Sequence, residues 1–202
     1  MTDAQRNAVA QAPADADGIG RRELKIILAG FGGQGILFAG KLIAYAGLED
    51  GRELSWLPSY GPEMRGGTAS CNVTLSDDPI GSPLIQDPNV LVAMNQPSLD
   101  KFASEVEPGG VIVVNTTLAP DLSAAEARRA DGVEVYALPA TQMAEDAGLA
   151  GLANIICAGK LWSVTHFCTP DALQAGLAHC VPPRKAHLLE PNKRALQLGA
   201  QA

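Results

Sequence analysis

From residue 24 onward, short runs of branched apolar residues alternate with stretches in which apolar and small residues recur every three or four positions. Each run is bounded by glycine or turn residues, a pattern typical of strands buried on both faces of a parallel sheet. Residues 70–76 instead alternate between apolar and polar, as a half-buried strand does. The predicted strands are 24–29, 52–57, 70–76, 90–94, 111–114 and 133–138.

The stretches between these strands predict helices. A stripe of small and apolar residues that includes Ile36, Ala39, Gly40 and Ile43 predicts a helix packed closely on the sheet. Later helices are predicted over 96–106, 147–166, 170–181 and 193–201. Residues 58–70 contain too much glycine and proline for a regular element.

The order of these elements predicts an α/β fold, a single Rossmann-like domain whose mostly parallel sheet is covered by helices on both faces. A C-terminal helical segment completes it. We expect this domain to span residues 23–202. Residues 1–22 are rich in Ala, Asp and Gln without a hydrophobic period, and we interpret them as a mobile N-terminal extension.

Charge and length exclude several classes of protein. The 202 residues include 15 Lys plus Arg and 22 Asp plus Glu, a net charge of −7 that argues against non-specific nucleic-acid binding. No apolar run approaches the roughly 20 residues that span a bilayer, and no secretory signal is visible at the start. We therefore expect a cytoplasmic protein with no membrane and no nucleic-acid partner.

The remaining chemistry-bearing side chains are assigned structural roles. The four cysteines form no C-x-x-C pair and the three histidines no zinc motif, so we predict no metal site and no iron–sulfur cluster held by this chain alone. Cys71 is expected in the core and His166 on a helix face. Asn95 and residues 115–117 follow strands and are expected to cap the next turns. No catalytic triad or carboxylate pair is present, so no catalytic residue is predicted.

Gly30, Gly32 and Gly35 match the pattern G-x-G-x-x-G directly after a predicted strand and at a helix start. Such glycines serve a tight turn, the close approach of a pyrophosphate and close helix packing, and the free amides of the helix favour an anion. The glycines fit phosphate binding and a simple chain turn equally well. A dinucleotide site also needs an acidic residue at the end of the second strand, but Glu53 stands at its start, which argues against an NAD enzyme acting alone.

The segment 58–67 places Arg65 directly before a glycine pair, near the predicted carboxyl end of the second strand. Its guanidinium could hold a phosphate or carboxylate in a forked pair, or it could pair with Glu63 and fix the loop. Both interpretations stand equally at this point. Tyr60 could line a pocket or cover the core.

Two motifs together resemble the gamma subunit of the 2-oxoacid:ferredoxin oxidoreductases. In that family G-x-G-G-Q-G follows the first strand, and S-Y-G-P-E-x-R-G-G comes later in the chain. Here they read Gly30-Phe-Gly-Gly-Gln-Gly35 and Ser59-Tyr-Gly-Pro-Glu-Met-Arg-Gly-Gly67. The stretches 87–96, 108–115 and 186–193 are similar too, and the resemblance covers roughly residues 24 to 198.

The resemblance implies an enzyme subunit without its own active centre. Such complexes convert a 2-oxoacid, coenzyme A and an oxidised acceptor to acyl-CoA, carbon dioxide and reduced acceptor. Thiamine diphosphate with Mg is held by alpha and beta subunits, and iron–sulfur clusters by a ferredoxin-like subunit. External ferredoxin, or an NAD-reducing partner, takes the electrons. We expect the isolated chain to be inactive, and pyruvate, 2-oxoglutarate, branched-chain and aryl 2-oxoacids all remain open as substrates.

The predicted ligand-binding residues lie in the two motifs, where amides and a guanidinium suit an anion. The hypothesis is that they help to present coenzyme A or guard the entrance of the active site; alternatively both loops only form a subunit interface. Two other classes remain, a stand-alone NAD(P)-dependent reductase and a non-enzymatic ligand sensor. The predicted residues are Gly30, Gly32, Gly33, Gln34, Gly35, Ser59, Tyr60, Arg65, Gly66 and Gly67.

Overall fold

A computed structural model describes residues 23–59 and 68–202, and within them six strands form one sheet in the order β2-β3-β1-β4-β5-β6. Neighbouring strands β1, β4, β5 and β6 are parallel, whereas β3 is antiparallel to both of its neighbours, β1 and β2. Five strands therefore point the same way, and the predicted mostly parallel sheet is confirmed. The strands are β1 Glu23–Phe31, β2 Glu53–Ser59, β3 Thr68–Ser76, β4 Val90–Ala93, β5 Val111–Asn115 and β6 Glu134–Leu138.

Helices cover both faces of the sheet, as predicted. The α-helices are α1 Ile36–Glu49, α2 Gln96–Phe102, α3 Ser123–Glu126, α4 Ala140–Asp146, α5 Ala153–Thr165, α6 Pro170–Cys180 and α7 Leu189–Gln201, with 3-10 turns at Ala103–Glu105, Ala127–Asp131 and Pro183–Leu188. One core joins the sheet to α1, α4 and the C-terminal helices, and a second joins it to α2 and α3. In β1, Ile26 and Leu28 belong to the first core and Ile27 and Ala29 to the second, because successive strand residues face opposite ways.

The length of the connection explains why β3 runs antiparallel to β2. Only eight residues separate β2 from β3, which is too short for the crossover that a parallel neighbour needs. Pro58 lies in β2, which pairs on one side only, where a missing backbone N–H is tolerated. The prediction that 58–70 contains no regular element was therefore wrong at both ends, because Pro58 and Ser59 belong to β2 and residues 68–70 to β3.

The C-terminal half differs from its prediction mainly at the boundaries of the helices. The predicted helix over 147–166 begins only at Ala153, since Gly148 and Gly151 take left-handed conformations in the preceding turns. His166, expected on a helix face, instead ends α5 with a φ of 45°. The last helix begins at Leu189 rather than 193. The predicted mobility of residues 1–22 concerns residues outside those that the structure describes.

Glycine allows the helices to pack backbone to backbone. A Cβ on Gly159 of α5 would collide with the carbonyl oxygen of Leu196 in α7, and a Cβ on Gly199 would collide with the carbonyl oxygen of Ile156. The small-residue stripe of α1 has the same role, because a Cβ on Gly40 would collide with the Cys71 sulfur of β3. α7 lies on α5 and α6 on α1, so α5 is enclosed between the sheet and α7.

Replacing Gly159 by Ala places a methyl group against α7 and forces the two helices apart. We expect the free energy of unfolding to fall by about 2–3 kcal/mol, in the range for overpacked interiors, and Tm to fall by roughly 5–10 °C. Urea denaturation and calorimetry of the purified chain measure both. Gly81→Ala is the matched control because a Cβ there meets open space. Equal losses in the two variants would contradict the packing role of Gly159.

Candidate functional site

The glycine loop, residues 31–35, connects β1 to α1 at the carboxyl edge of the sheet. Gly33 and Gly35 have φ values of +90° and +74°, a conformation that a side chain disfavours. Gly30 is needed for a different reason, since a Cβ there would lie 2.6 Å from Gln34 Oε1 and 2.9 Å from Met94 Cβ. The motif therefore combines a close contact at Gly30 with left-handed conformations at Gly33 and Gly35.

The side chain of Gln34 fastens this loop to the end of β4. Its Oε1 accepts hydrogen bonds from the Phe31 N–H at 2.5 Å and from Asn95 Nδ2 at 3.2 Å, while its Nε2 donates to the Met94 carbonyl at 3.2 Å. Asn95 also accepts a bond from the Ser98 amide at 2.9 Å, so its predicted capping role is confirmed. Gln34 thus joins two neighbouring strand ends through one amide group.

The first turn of α1 offers free backbone donors. Gly35 is the N-cap, no side chain caps the helix, and no acidic residue lies in its first turn. The amides of Ile36, Leu37 and Phe38 have no acceptor among the described residues, and the first intrahelical bond runs from Ala39 to Gly35. These amides and the helix dipole form a setting that favours an anion.

The loop lies where the sheet changes direction. The connection after β1 leads through α1 to β2 on one side, and the connection after β4 leads through α2 to β5 on the other. The crevice between β1 and β4 at their carboxyl ends is therefore the switch point at which open α/β sheets bind ligands. Gly30, Gly32, Gly33 and Gly35 of the predicted set lie at this point.

Asn154 is a site residue that the sequence interpretation missed. It stands in the first turn of α5, is 5% exposed, and donates from Nδ2 to the Gly35 carbonyl at 2.9 Å. Its Oδ1 has no hydrogen-bond partner, and burying such an unsatisfied group costs about 1–3 kcal/mol. The signal in the sequence is that Asn154 is the only polar residue in the apolar run 152–159.

The second predicted motif falls partly outside the described residues. Ser59 is the last residue of β2 and pairs with Ser70 of β3, so it lies two strands from the end of β1. The chain is described again from Thr68, which pairs with Phe31 beside the glycine loop. Tyr60, Arg65, Gly66 and Gly67 lie outside the described residues, and their assignment stays a prediction, as does ligand binding by the other members of the set.

The other polar residues at this edge serve the fold. Asn115 donates to Thr141 Oγ1 at 2.9 Å and accepts from the Thr141 amide at 3.2 Å, and Thr117 accepts from the Gln142 amide at 3.3 Å. These contacts fasten the start of α4 and not the turn directly after β5, so the expectation that residues 115–117 cap that turn was wrong. Cys71, expected in the core, is buried and receives a hydrogen bond from Trp56 Nε1.

The glycine loop is an open edge rather than a closed pocket within the described residues. Phe31 is 40% exposed, and Gly32 and Gly33 are exposed as well. A cavity of about 350 Å³ lies at the amino end of β1, lined in part by Lys25 and Thr74. Another of about 590 Å³ lies between α6 and α7. Neither cavity includes a residue of the loop.

Two further properties concern the described residues as a whole. They contain no group of three or more His, Cys, Asp or Glu side chains placed to hold a metal ion. None of the helices in residues 23–59 and 68–202 has the length and apolar character needed to cross a bilayer.

The sequence pattern of the pyruvate ferredoxin/flavodoxin oxidoreductase family matches residues 25–202. The chain belongs to this family. Among solved structures, the gamma subunit of a keto/oxoacid ferredoxin oxidoreductase from Geobacter sulfurreducens superposes with a TM-score of 0.74 at 27% identity, over 88% of this chain and 96% of that one. The predicted fold class and the resemblance stated from the two motifs are thereby confirmed.

Relatives within the family differ in length. The chain is 46% identical over 143 residues to ketoisovalerate oxidoreductase subunit VorA of Methanothermobacter marburgensis, covering 71% of this chain and 29% of the relative. It is 34% identical over 183 residues to 2-oxoglutarate synthase subunit KorC of Methanothermobacter thermautotrophicus, covering 90% and 94%. The chain therefore spans about a third of the ketoisovalerate oxidoreductase subunits that it matches, and nearly all of KorC.

The buried thiols make stability depend on alkaline pH. Burial raises the pKa of Cys157 from 9.0 to about 12, and burial also raises the pKa of Cys71 to about 11. The folded chain keeps these protons at pH values where the unfolded chain has lost them. Their contribution to stability is therefore full below about pH 9 and is lost as the pH rises toward the folded pKa.

We expect the free energy of unfolding to fall above pH 9 by up to about 1.4 kcal/mol per pH unit for each such thiol. Cys157→Ala removes one thiol, so the free energy of unfolding should fall less steeply with pH, by the contribution of that thiol. Urea denaturation at a series of pH values measures this slope. Val164→Ala shortens a partly buried neighbour on the same helix and leaves the pH dependence unchanged. A slope that Cys157→Ala does not alter would refute the assignment.

Proposed function

We propose that this chain is the gamma subunit of a thiamine diphosphate-dependent 2-oxoacid:acceptor oxidoreductase complex. The complex would convert a 2-oxoacid, coenzyme A and oxidised acceptor to acyl-CoA, carbon dioxide and reduced acceptor. The observation that carries the proposal is the uncapped start of α1 at the switch point of the sheet, in a chain whose residues 25–202 match the family. The chain itself would be inactive without its partners.

The proposal assigns the chemistry to other chains. Thiamine diphosphate with Mg would be held by alpha and beta subunits, and iron–sulfur clusters by a ferredoxin-like subunit, with ferredoxin or an NAD-reducing partner as acceptor. When bound, thiamine diphosphate would supply the electron sink that accepts the electron pair released by decarboxylation. The complex would be cytoplasmic. This division follows the family resemblance of the two glycine motifs.

For this chain we propose a role in presenting coenzyme A or in guarding the entrance to the active site. The free amides of Ile36, Leu37 and Phe38 fit a pyrophosphate group, because they are donors without competing acidic side chains. Arg65 would add a forked, charge-assisted contact to the same anion. Gln34 would keep the loop rigid while the ligand binds, through its bonds to the ends of β1 and β4.

The sheet order argues against the rival dinucleotide-dependent reductase. In dinucleotide-binding folds the second strand lies beside the first, and an acidic residue at its end holds the ribose. Here β3 separates β2 from β1, and β2 ends in Ser59. An acidic side chain at the end of β2 would lie about 10 Å from β1, two strand spacings away. The geometry favours an anion without a ribose clamp.

Removal of the guanidinium by Arg65→Ala tests the ligand role. In the reconstituted complex we expect the KM for coenzyme A to rise about 10-fold or more, because a charge-assisted hydrogen bond contributes roughly 1.5–3 kcal/mol. The kcat at saturating coenzyme A and the subunit composition should stay the same. Arg184→Ala removes the same charge from an exposed 3-10 turn and is the matched control. An unchanged KM with weakened assembly would show that the second motif serves only an interface.

Purification of the native assembly through a tag on this chain tests the function as a whole. We expect larger partner chains to co-purify, with thiamine diphosphate detected by its fluorescent oxidation product and iron by metal analysis. A chain that purifies alone and turns over an oxo substrate with NAD(P) would overturn the proposal.

A further inference from the structure

Two helices begin at the glycine loop, not one. α1 has 14 residues and starts after Gly35, and α5 has 13 residues and starts at Ala153. Neither helix has a side-chain cap or an acidic residue in its first turn. The amides of Ala153 and Asn154 have no acceptor among the described residues, and the first turn of α5 contacts Gly35 through the Asn154 side chain. The start of each helix carries the partial positive charge that favours an anion.

Asn154 is the side chain that spans these two helix starts. Its Nδ2 lies 2.9 Å from the Gly35 carbonyl oxygen, which also accepts the bond from the Ala39 amide at 3.0 Å. A Cβ on Gly35 would lie 2.5 Å from that same Nδ2, so the amide occupies the space that a larger residue at 35 would need. The Gly35 carbonyl at the start of α1 is therefore held from outside the helix as well as from within it.

Packing alone does not explain an asparagine at this position. The residue is 5% exposed, its neighbours Ile155 and Ile156 are fully buried, and its Oδ1 is left without a partner. An apolar side chain of the same size would avoid the cost of that unsatisfied oxygen. The nitrogen of the same amide group therefore has a partner in the Gly35 carbonyl, while the oxygen has none.

We propose that Asn154 is a positioning residue for the anionic co-substrate. It would hold the Gly35 carbonyl so that the free amides at the start of α1 face the pyrophosphate of coenzyme A. The inference rests on the proposed function, and it adds to it the start of α5 and a residue outside both sequence motifs.

A second asparagine provides a matched control within the chain. Asn192 of α7 is 4% exposed, donates from Nδ2 to a backbone carbonyl, that of Leu188, and also has an Oδ1 without a partner. The two residues thus share burial, bonding and an unsatisfied oxygen. Of the two, only Asn154 contacts the glycine loop. If the loss of any buried amide weakens the binding of coenzyme A, variants of both asparagines will show it. If the cause is the position of the loop, only variants of Asn154 will.

The test compares Asn154→Leu, Asn154→Asp and Asn192→Leu in the assembled complex. Asn154→Leu removes the donor with an apolar side chain, and Asn154→Asp keeps the shape but places an acceptor and a negative charge beside the two helix starts. We expect both variants at 154 to raise the Kd for coenzyme A, measured by calorimetry, about tenfold or more. The kcat at saturating coenzyme A should stay within about twofold, and Asn192→Leu should bind coenzyme A like the wild type.

Coenzyme A binding by Asn154→Leu equal to that of the wild type would overturn the inference, as would an equal loss in Asn192→Leu. If Asn154→Leu does not assemble, the same comparison is made with Asn154→Asp, and a Kd for coenzyme A equal to that of the wild type would overturn the inference. Failure of the proposed function has a different pattern, because then Arg65→Ala and the variants at 154 all leave the Kd for coenzyme A unchanged. If Arg65→Ala raises the Kd for coenzyme A and Asn154→Leu does not, the proposed function stands and only the role of Asn154 is refuted.

Discussion

The geometry of the candidate site depends on the hydrogen bonds of one side-chain amide, that of Gln34. Two left-handed glycines would leave the connection from β1 to α1 adaptable, since glycine accepts many backbone conformations. Gln34 removes that freedom by bonding to Phe31 at the start of the loop and to Met94 at the end of β4. The first turn of α1 is therefore arranged during folding, and the entropy of ordering it is not lost again when a ligand binds.

The types of element could be predicted from the sequence because each depends on a local period. The alternation of β1 between two cores and the small-residue stripe of α1 are both visible without long-range information. The position of β3 is different. Its pairing with β1 joins Thr68 to Phe31 and Ser76 to Glu23, contacts that no local pattern specifies. The turns at Gly148 and Gly151 were mistaken for helix because glycine there suits close packing and a left-handed turn alike.

The position of the glycine loop could be predicted from the sequence, whereas the side chains from other elements that bond to it could not. The glycine spacing located the carboxyl edge of β1, and Asn95, the second residue after β4, was expected to cap the next turn, which it does. The additional bond from Asn95 to Gln34 connects positions 61 residues apart, and that from Asn154 to Gly35 connects positions 119 apart. Such contacts follow from the packing of α5 beside α1, which the sequence pattern of α5 alone does not contain.

The insertion of β3 between β2 and β1 determines what this variant of the fold can recognise. The amides at the start of α1 remain, so the arrangement for a phosphate group is kept. The end of β2 has moved away from β1, so a second contact to the same ligand must come from elsewhere. An edge with free amides at the start of α1 and a Phe31 side chain that is 40% exposed is suited to a site completed by another surface.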